Sequence, residues 1–245
     1  MILITNDDGI ESQGLKALVQ VMETLNTVYV VAPDRERSAT GMSVTLRHPL
    51  RIKKINERTY SVDGTPVDCV NLALGVLMPE WPTILISGIN EGSNLGNDIY
   101  YSGTVAAAIR AAFLKIPAIA ISIIDVRPYH YDTAANIALR IAKAVLQHGI
   151  SAGTLLNVNV PDLPLSEIQG IEITRQDRTS YIPTLEKRID PRSSEYYWLC
   201  GYRENPKNPD GTDLYEAHQK KVSITPLQLD LTDYKMMKEL SSWDW

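Results

Sequence analysis

Only two cysteines occur in the 245 residues, Cys69 and Cys200, far apart and in no CxxC pair. That excludes a disulfide framework and argues against a zinc knuckle. Two buried or inert thiols are expected. No apolar run reaches the ~18 residues of a membrane span, and with a strand expected to begin at Met1-Ile2-Leu3 no signal peptide is expected. A cytoplasmic address without a membrane partner is the expectation. Basic excess is also missing: 24 Lys and Arg face 29 Asp and Glu, a formal charge of −5. DNA is therefore not an expected partner, although a local site can still attract a small anion. No GxxxxGK followed by Ser or Thr is present, which argues against a P-loop NTPase, and no GxGxxG follows the first strand. The histidines His48, His130, His148 and His218 show no HxH or HExxH spacing. His148 reads as a favourable charge near a helix C-terminus, and His130, between Tyr129 and Tyr131, as a surface or rim residue.

What the chain has is alternation. Ile2–Thr5 reads as a short buried strand. Leu15, Leu18, Val19, Met22 and Leu25 then recur on one helical face, and Val28–Val31 forms a second strand before Ala32-Pro33-Asp34. Strand, helix and strand within about 30 residues is a βαβ unit, the building block of parallel sheets covered on both faces. Residues 34–45 read as a loop and 46–63 as strand segments around Asn56-Glu57. A helix over 66–77 is predicted, with Thr65 as cap and Pro66 in its first position. Thr83–Ile86 is the next strand, followed by a Gly- and Asn-rich loop over 87–103, an Ala-rich helix over Thr104–Leu114 and a strand over Ala118–Ser122. A helix over Asp132–Gln147, capped by Asp132, and a strand over Leu155–Val160 complete the alternation. Beyond about residue 176 prolines, tyrosines and charges dominate, with short strands at Val222–Thr225 and Leu227–Leu231 and a helix over Thr232–Leu240. The expected fold class is α/β: a Rossmann-like, mostly parallel sheet with helices on both faces. It forms one domain over 1–245, with a core of about 1–175 and a hairpin and loop extension of about 176–245.

Ligands of open α/β sheets bind beyond the carboxyl ends of the strands. Polar clusters stand at such ends: Asn6-Asp7-Asp8-Gly9, Asp34 through Ser43, and Ser87-Gly88-Ile89-Asn90. If their strands are parallel neighbours, the clusters converge. Adjacent carboxylates repel unless a cation or a shared proton relieves them. Asp7 and Asp8, with the Ser38 hydroxyl and the Asn90 amide oxygen, suit a hard divalent ion such as Mg²⁺ or Mn²⁺. Spacing alone equally allows one aspartate to cap the next helix while the other is solvated. Tyr101-Ser102-Gly103-Thr104 opens the Ala-rich helix, where free N–H groups, two hydroxyls and a glycine suit a phosphate. An ordinary hydroxyl N-cap is the alternative. A metal beside a phosphate seat indicates phosphoryl chemistry, through polarisation and an activated water or through attack by Asp7 or Asp8. The residues leave both routes open. Arg35-Glu36-Arg37 reads as a solvated loop face from which an arginine could reach a phosphate.

These residues carry a resemblance that runs nearly end to end. NDDG at 6–9, VVAPDRERS at 30–38, GTPVDCV at 64–70 and SGINEGSNLGNDIYYSGTVAAA at 87–108 are similar to the SurE family, the stationary-phase survival proteins. IPAIAIS at 116–122, NVNVPDLP at 157–164 and VSITPLQLDLT at 222–232 continue the match. The resemblance implies one divalent metal ion per subunit, Mg²⁺ or Mn²⁺, bound by Asp7, Asp8, Ser38 and Asn90, with Asp7 and Asp8 as catalytic groups. It implies a substrate phosphate near Asn94, Ser102, Gly103 and Thr104. The implied reaction is 5'-nucleotidase hydrolysis of nucleoside monophosphates, with 3'-nucleotidase and exopolyphosphatase activity as possible additions. It also implies a homodimer or homotetramer whose C-terminal segments are exchanged. Two departures from the family pattern stand out: Arg110-Ala111 replaces a Glu-Gly pair, implying an altered subunit or core contact, and Ala39 stands where Gly is usual.

Two other readings stay in view. A haloacid-dehalogenase-type phosphatase also uses acidic strand ends, but wants Asp-x-Asp where this chain has adjacent aspartates. A nucleotide-sensing module, or more weakly a receiver-like domain, would keep the phosphate seat without turnover.

Overall fold

A computed structural model describes residues 1–124, 129–179, 181–203 and 210–245. Strand β1 (Ile2–Thr5) is followed by helix α1 (Gln13–Met22), whose Ser12 cap accepts the Leu15 amide at 3.2 Å. Strand β2 (Val28–Pro33) then lies parallel to β1. Strands β3 (Ile52–Lys54) and β4 (Thr59–Val62) are the segments expected around Asn56-Glu57, and they pair as an antiparallel hairpin. Helix α2 (Pro66–Leu72) begins in a full capping box between Thr65 and Asp68. It is shorter than the predicted helix because residues 73–77 continue as a π-helical turn.

Strand β5 (Ile84–Glu91) extends well past the expected Ile86, so Ser87 through Asn90 are strand, not loop. A register shift between Ser87 and Asn90 marks an irregularity there. Gly88 sits in it at φ +140°, and a Cβ would fall 2.3 Å from the Ile121 carbonyl oxygen. A 3₁₀ turn (Gly96–Tyr100) leads to helix α3 (Gly103–Phe113) and strand β6 (Ala118–Ile124). Helix α4 (Tyr131–His148) is capped by position His130 without a side-chain bond, so Asp132 lies in its first turn and is not the cap.

Strand β7 (Thr154–Pro161) and short β8 (Ile171–Ile173) precede a hairpin of β9 (Tyr181–Ile189) and β10 (Glu195–Arg203). Helix α5 (Asp213–His218), strand β11 (Val222–Gln228) and helix α6 (Tyr234–Leu240) complete the described chain. The two short strands expected around Pro226 are one strand. β8 pairs only as far as Ile224, so Pro226 meets an open edge where its missing N–H costs no ladder bond.

The nine-stranded sheet has the order β3-β4-β2-β1-β5-β6-β7-β11-β8. From β4 to β7 neighbours are parallel; β3 and β11 run antiparallel to β4 and β7. The chain winds outward from β1 through β2 to β4, then returns to the other side of β1 as β5. The topological switch point therefore lies between β1 and β5. One core joins alternate residues such as Ile2, Ile4 and Ile86 to α1 and α4; the other joins Leu3, Leu85 and Ala118 to α2 and α3. Because β11 is a full member of the sheet, residues after 176 are not wholly outside the core.

Ala111 is fully buried, and Arg110 Nε donates to Asn71 Oδ1 at 2.6 Å, tying α3 to α2. That contact accommodates the Arg110-Ala111 departure within the core layer. Cys69 is free and buried, and Cys200 is free and exposed on β10. Ala39 holds φ +56°, a left-handed conformation that costs a Cβ about 1–2 kcal/mol. Ala39→Gly should relieve most of that cost, offset by glycine's greater freedom when unfolded, and raise Tm by about 1–3 °C. A lower Tm for the variant would show that position 39 is not strained.

Candidate active site

β2, β1 and β5 are adjacent and parallel, so the loops after them do share one edge. Asp7 and Asp8 leave β1 at the switch point, and Arg37 N–H donates to the Asp7 carbonyl at 2.7 Å, joining the second loop to the first. Asp7 is 4% exposed. Thr104 Oγ1 donates to its carboxylate, and a Cβ on Gly103 would sit 2.9 Å from Asp7 Oδ2. Gly103 is thus required by the approach of Asp7. The sequence suggested two separate clusters, an acidic pair and a helix start; the structure places the start of α3 directly on Asp7.

Burial pushes the Asp7 carboxyl above its ordinary value, with the Thr104 hydroxyl and the Thr104 and Gly103 amides drawing it partly back. Asp8 is pushed up to about 7, first by burial and then by the charges of Asp7, Glu91 and Glu36, while the Glu91 amide opposes the rise. Its Oδ2 is buried without a hydrogen-bond partner. A buried carboxylate oxygen with nothing to accept from is costly and is a natural place for a proton or cation.

Asn90 stands at the end of β5, where its Nδ2 donates to the Gly92 carbonyl at 2.7 Å. That bond commits the amide's donor and leaves its oxygen as the available ligand. Ser38 is exposed, and its hydroxyl donates to Glu36 at 2.7 Å instead of turning toward the aspartates. The donors at hand are oxygens, and among the described residues no cluster of three or more His, Cys, Asp or Glu could hold a metal. Asp7, Asp8 and Asn90, with Ser38 on the facing loop, fit a hard divalent cation that keeps several waters. Arg37 is committed to Asp34 Oδ1 at 3.2 Å and to the Asp63 carbonyl at 2.8 Å.

Ser102 caps α3, its Oγ accepting the Val105 amide at 3.1 Å. Asn94 is nearly buried, held by Ser122, Asn157 and Asn159. Two residues further on, Gly96 N–H donates to Asp213 Oδ2 at 2.8 Å and its carbonyl accepts from Gln176 Nε2 at 3.1 Å. Asp213 is fully buried and also accepts the Asp177 and Leu214 amides. Burial raises its pKa, those amides lower it, and the nearby Asp177 charge adds to the rise. Tyr131 donates to Glu91 Oε1 at 2.5 Å, and His130, on the same rim, is tied to Asp162 at 2.8 Å. Ser122, Asn157, Asn159, Gln176 and Asp213, which hold Asn94 and Gly96 in place, were not foreseen. The Asn-Val-Asn-Val run and the Gly211-Thr212-Asp213 helix start were the local signals. No helix among the described residues is long and apolar enough to cross a membrane.

Fold and site define a class: a doubly wound α/β protein with an acidic oxygen-donor centre at its switch point, set against a helix N-terminus. The family model described as Survival protein SurE matches residues 2–183. The "5'-nucleotidase SurE" of Pelobacter propionicus is 48% identical over 243 residues, covering 99% of this chain and 98% of its own. That of Geotalea daltonii is 47% identical over 244 residues, with 99% and 98% covered. The crystal structure of the SurE protein from Aquifex aeolicus superposes with a TM-score of 0.89 at 43% identity, covering 98% of each chain. The chain belongs to the SurE family.

Asp8 also makes a pH prediction. A carboxyl whose folded pKa is raised favours the fold below its unfolded value and loses that contribution as pH rises through the folded one. Relative to Asp8→Asn, metal-free parent protein should therefore lose stability between the ordinary value of 3.8 and about 7, by on the order of a few kcal/mol. Thermal melts of both proteins in EDTA at pH 5 and pH 8 measure this. Parallel pH dependence would show that Asp8 ionises without cost.

Proposed function

We propose that this chain is a 5'-nucleotidase, a divalent-metal-dependent phosphomonoesterase that converts nucleoside monophosphates to nucleoside and phosphate. The observation that carries the reading is the partnerless, buried Asp8 oxygen beside Asp7 at the end of the central strand. The names of the curated relatives support the same substrate class. Asp7, Asp8, Asn90 and Ser38 would hold one Mg²⁺ or Mn²⁺, Ser38 by releasing Glu36. Such an ion supplies charge neutralisation and Lewis-acid stabilisation at the phosphoryl oxygens. Asp7, fixed by Thr104 and packed on Gly103, fits a ligand better than a nucleophile. Asp8 Oδ2 is a buried oxygen without a partner, open to a proton or cation. Water is therefore the proposed nucleophile.

Asn94, Ser102, Gly103 and Thr104 form the proposed phosphate seat, with the α3 N-terminus contributing amides and a favourable dipole. The seat recognises a phosphoryl group and not a base, so 3'-monophosphates and polyphosphate ends are proposed as further substrates. A cytoplasmic setting belongs to the same proposal, consistent with two free cysteines.

Phosphate release from 5'-AMP, 3'-AMP and polyphosphate, each with Mg²⁺, Mn²⁺ or EDTA, tests the reading. Asp8→Asn should cut turnover by about 100-fold or more while the circular dichroism stays that of the parent. Activity that survives full chelation would overturn the metal dependence, and a trapped phospho-aspartate would overturn water as nucleophile.

The assembly is part of the proposal. Both faces of the β9–β10 hairpin carry exposed large side chains: Tyr181, Leu185, Ile189, Tyr197 and Leu199 on one, Tyr196, Trp198 and Tyr202 on the other. A bare hairpin is marginal in water, and so much exposed apolar surface marks an interaction site. A second copy of this chain is the proposed occupant, giving a homodimer or homotetramer. The Leu185→Asp, Leu199→Asp double variant should elute as a smaller species by light scattering; an unchanged mass would exclude the hairpin as the contact.

A further inference from the structure

Three buried polar side chains lie under the loop from β5 to α3 and take no part in the chemistry above. Asn94 N–H donates to Asn159 Oδ1 at 2.8 Å. The Asn94 carbonyl accepts from Asn157 Nδ2 at 2.8 Å and from Asn159 Nδ2 at 3.1 Å. Asn94 Nδ2 donates to Ser122 Oγ at 2.7 Å. Asn159 thus grips both main-chain groups of one residue, and because those partners are an N–H and a C=O, its amide can face only one way round.

We propose that Asn159, Asn157 and Ser122 are positioning residues that hold Asn94 in place to receive the substrate phosphate. β7 ends the parallel run of the sheet, and strands of such a run are ordinarily apolar on both faces because helices cover them. Val158 and Val160 follow that rule, whereas Asn157 and Asn159 are equally buried amides. An amide in such a place costs free energy unless it is hydrogen-bonded, and Asn157 Oδ1 has no partner at all. Two valines would serve the strand better; what the asparagines add is the fixed orientation of Asn94. Ser122 stands opposite Asn90 on β5 and opposite Asn159 on β7, so the row joins the proposed metal side of the site to the phosphate side. Ser122 takes one of the two Nδ2 hydrogens, and the direction of the other is thereby set.

The inference rests on the reading of Asn94 as a phosphate contact, and the test separates the two. Ser122→Ala, Asn159→Ala, Asn94→Ala and the Ser122→Ala, Asn94→Ala double variant are assayed with 5'-AMP and Mg²⁺, with inorganic phosphate as inhibitor. Tm is recorded for each. Ser122→Ala removes a single atom, which keeps one variant folded. The expected result is a rise of about 10- to 100-fold in KM and in the phosphate inhibition constant for each single variant. The kcat should change much less, since binding is lost equally from ground and transition states, and the double variant should be no worse than Asn94→Ala. A purely structural role would lower Tm and the active fraction while leaving KM alone. If Asn94→Ala raises KM but folded Ser122→Ala and Asn159→Ala keep the parent KM, the positioning role is wrong and the phosphate contact stands. If Asn94→Ala itself keeps the parent KM, the phosphate contact is wrong and the positioning role falls with it.

Discussion

Asp7 and Asp8 follow a strand that is buried from Ile2 to Thr5, so neither carboxylate can retreat into solvent without pulling the central strand with it. The chain meets this constraint unequally. Asp7 receives a hydroxyl from Thr104 and lies against a glycine that leaves room for it. Asp8 keeps an oxygen without a partner amid the charges of Asp7, Glu91 and Glu36. One aspartate is satisfied by the fold and the other is left in deficit, which gives an identical pair two different chemistries.

The winding of the sheet turns that local problem into a site. Because β2 and β5 flank β1 in parallel, the ends of all three strands lie together, and the return of the chain from β4 to β5 leaves the crevice between them open. The loop over that crevice is then tied down from two directions: Asn94 by β6 and β7, Gly96 by Asp213 and Gln176 from the later part of the chain. Such preorganisation is what a polar transition state needs from a protein.

Much of this was legible in the residues. Alternation of apolar runs located β1, α1, β2, α3, β6, α4 and β7, because each buries a face with a regular period. Asp7, Asp8 and Asn90 stood out because polar groups at the ends of buried strands are conspicuous. The rest was hidden for specific reasons. Ser87 to Asn90 looks like loop because small and polar residues dominate it, yet pairing with β6 keeps it in the sheet. Asn157 and Asn159 look like the wet face of a half-exposed strand, and only the loop lying on them reveals that they are buried. Helix α5 has six residues, too few for a period. The direction of the Ser38 hydroxyl is a rotamer choice decided by Glu36, which no spacing encodes.

The place of β11 has a consequence for how the molecule is made. β7 is completed by a partner that begins at Val222, beyond the whole β9–β10 hairpin. While the chain is being synthesised, Thr154–Pro161 must wait with one edge unpaired until the last strand emerges, and during that interval the β9–β10 hairpin, with its exposed tyrosines and Trp198, has already been made. Non-local pairing is slow and unpaired edges recruit other chains. The final step of folding is therefore also the one most exposed to misassembly between nascent copies.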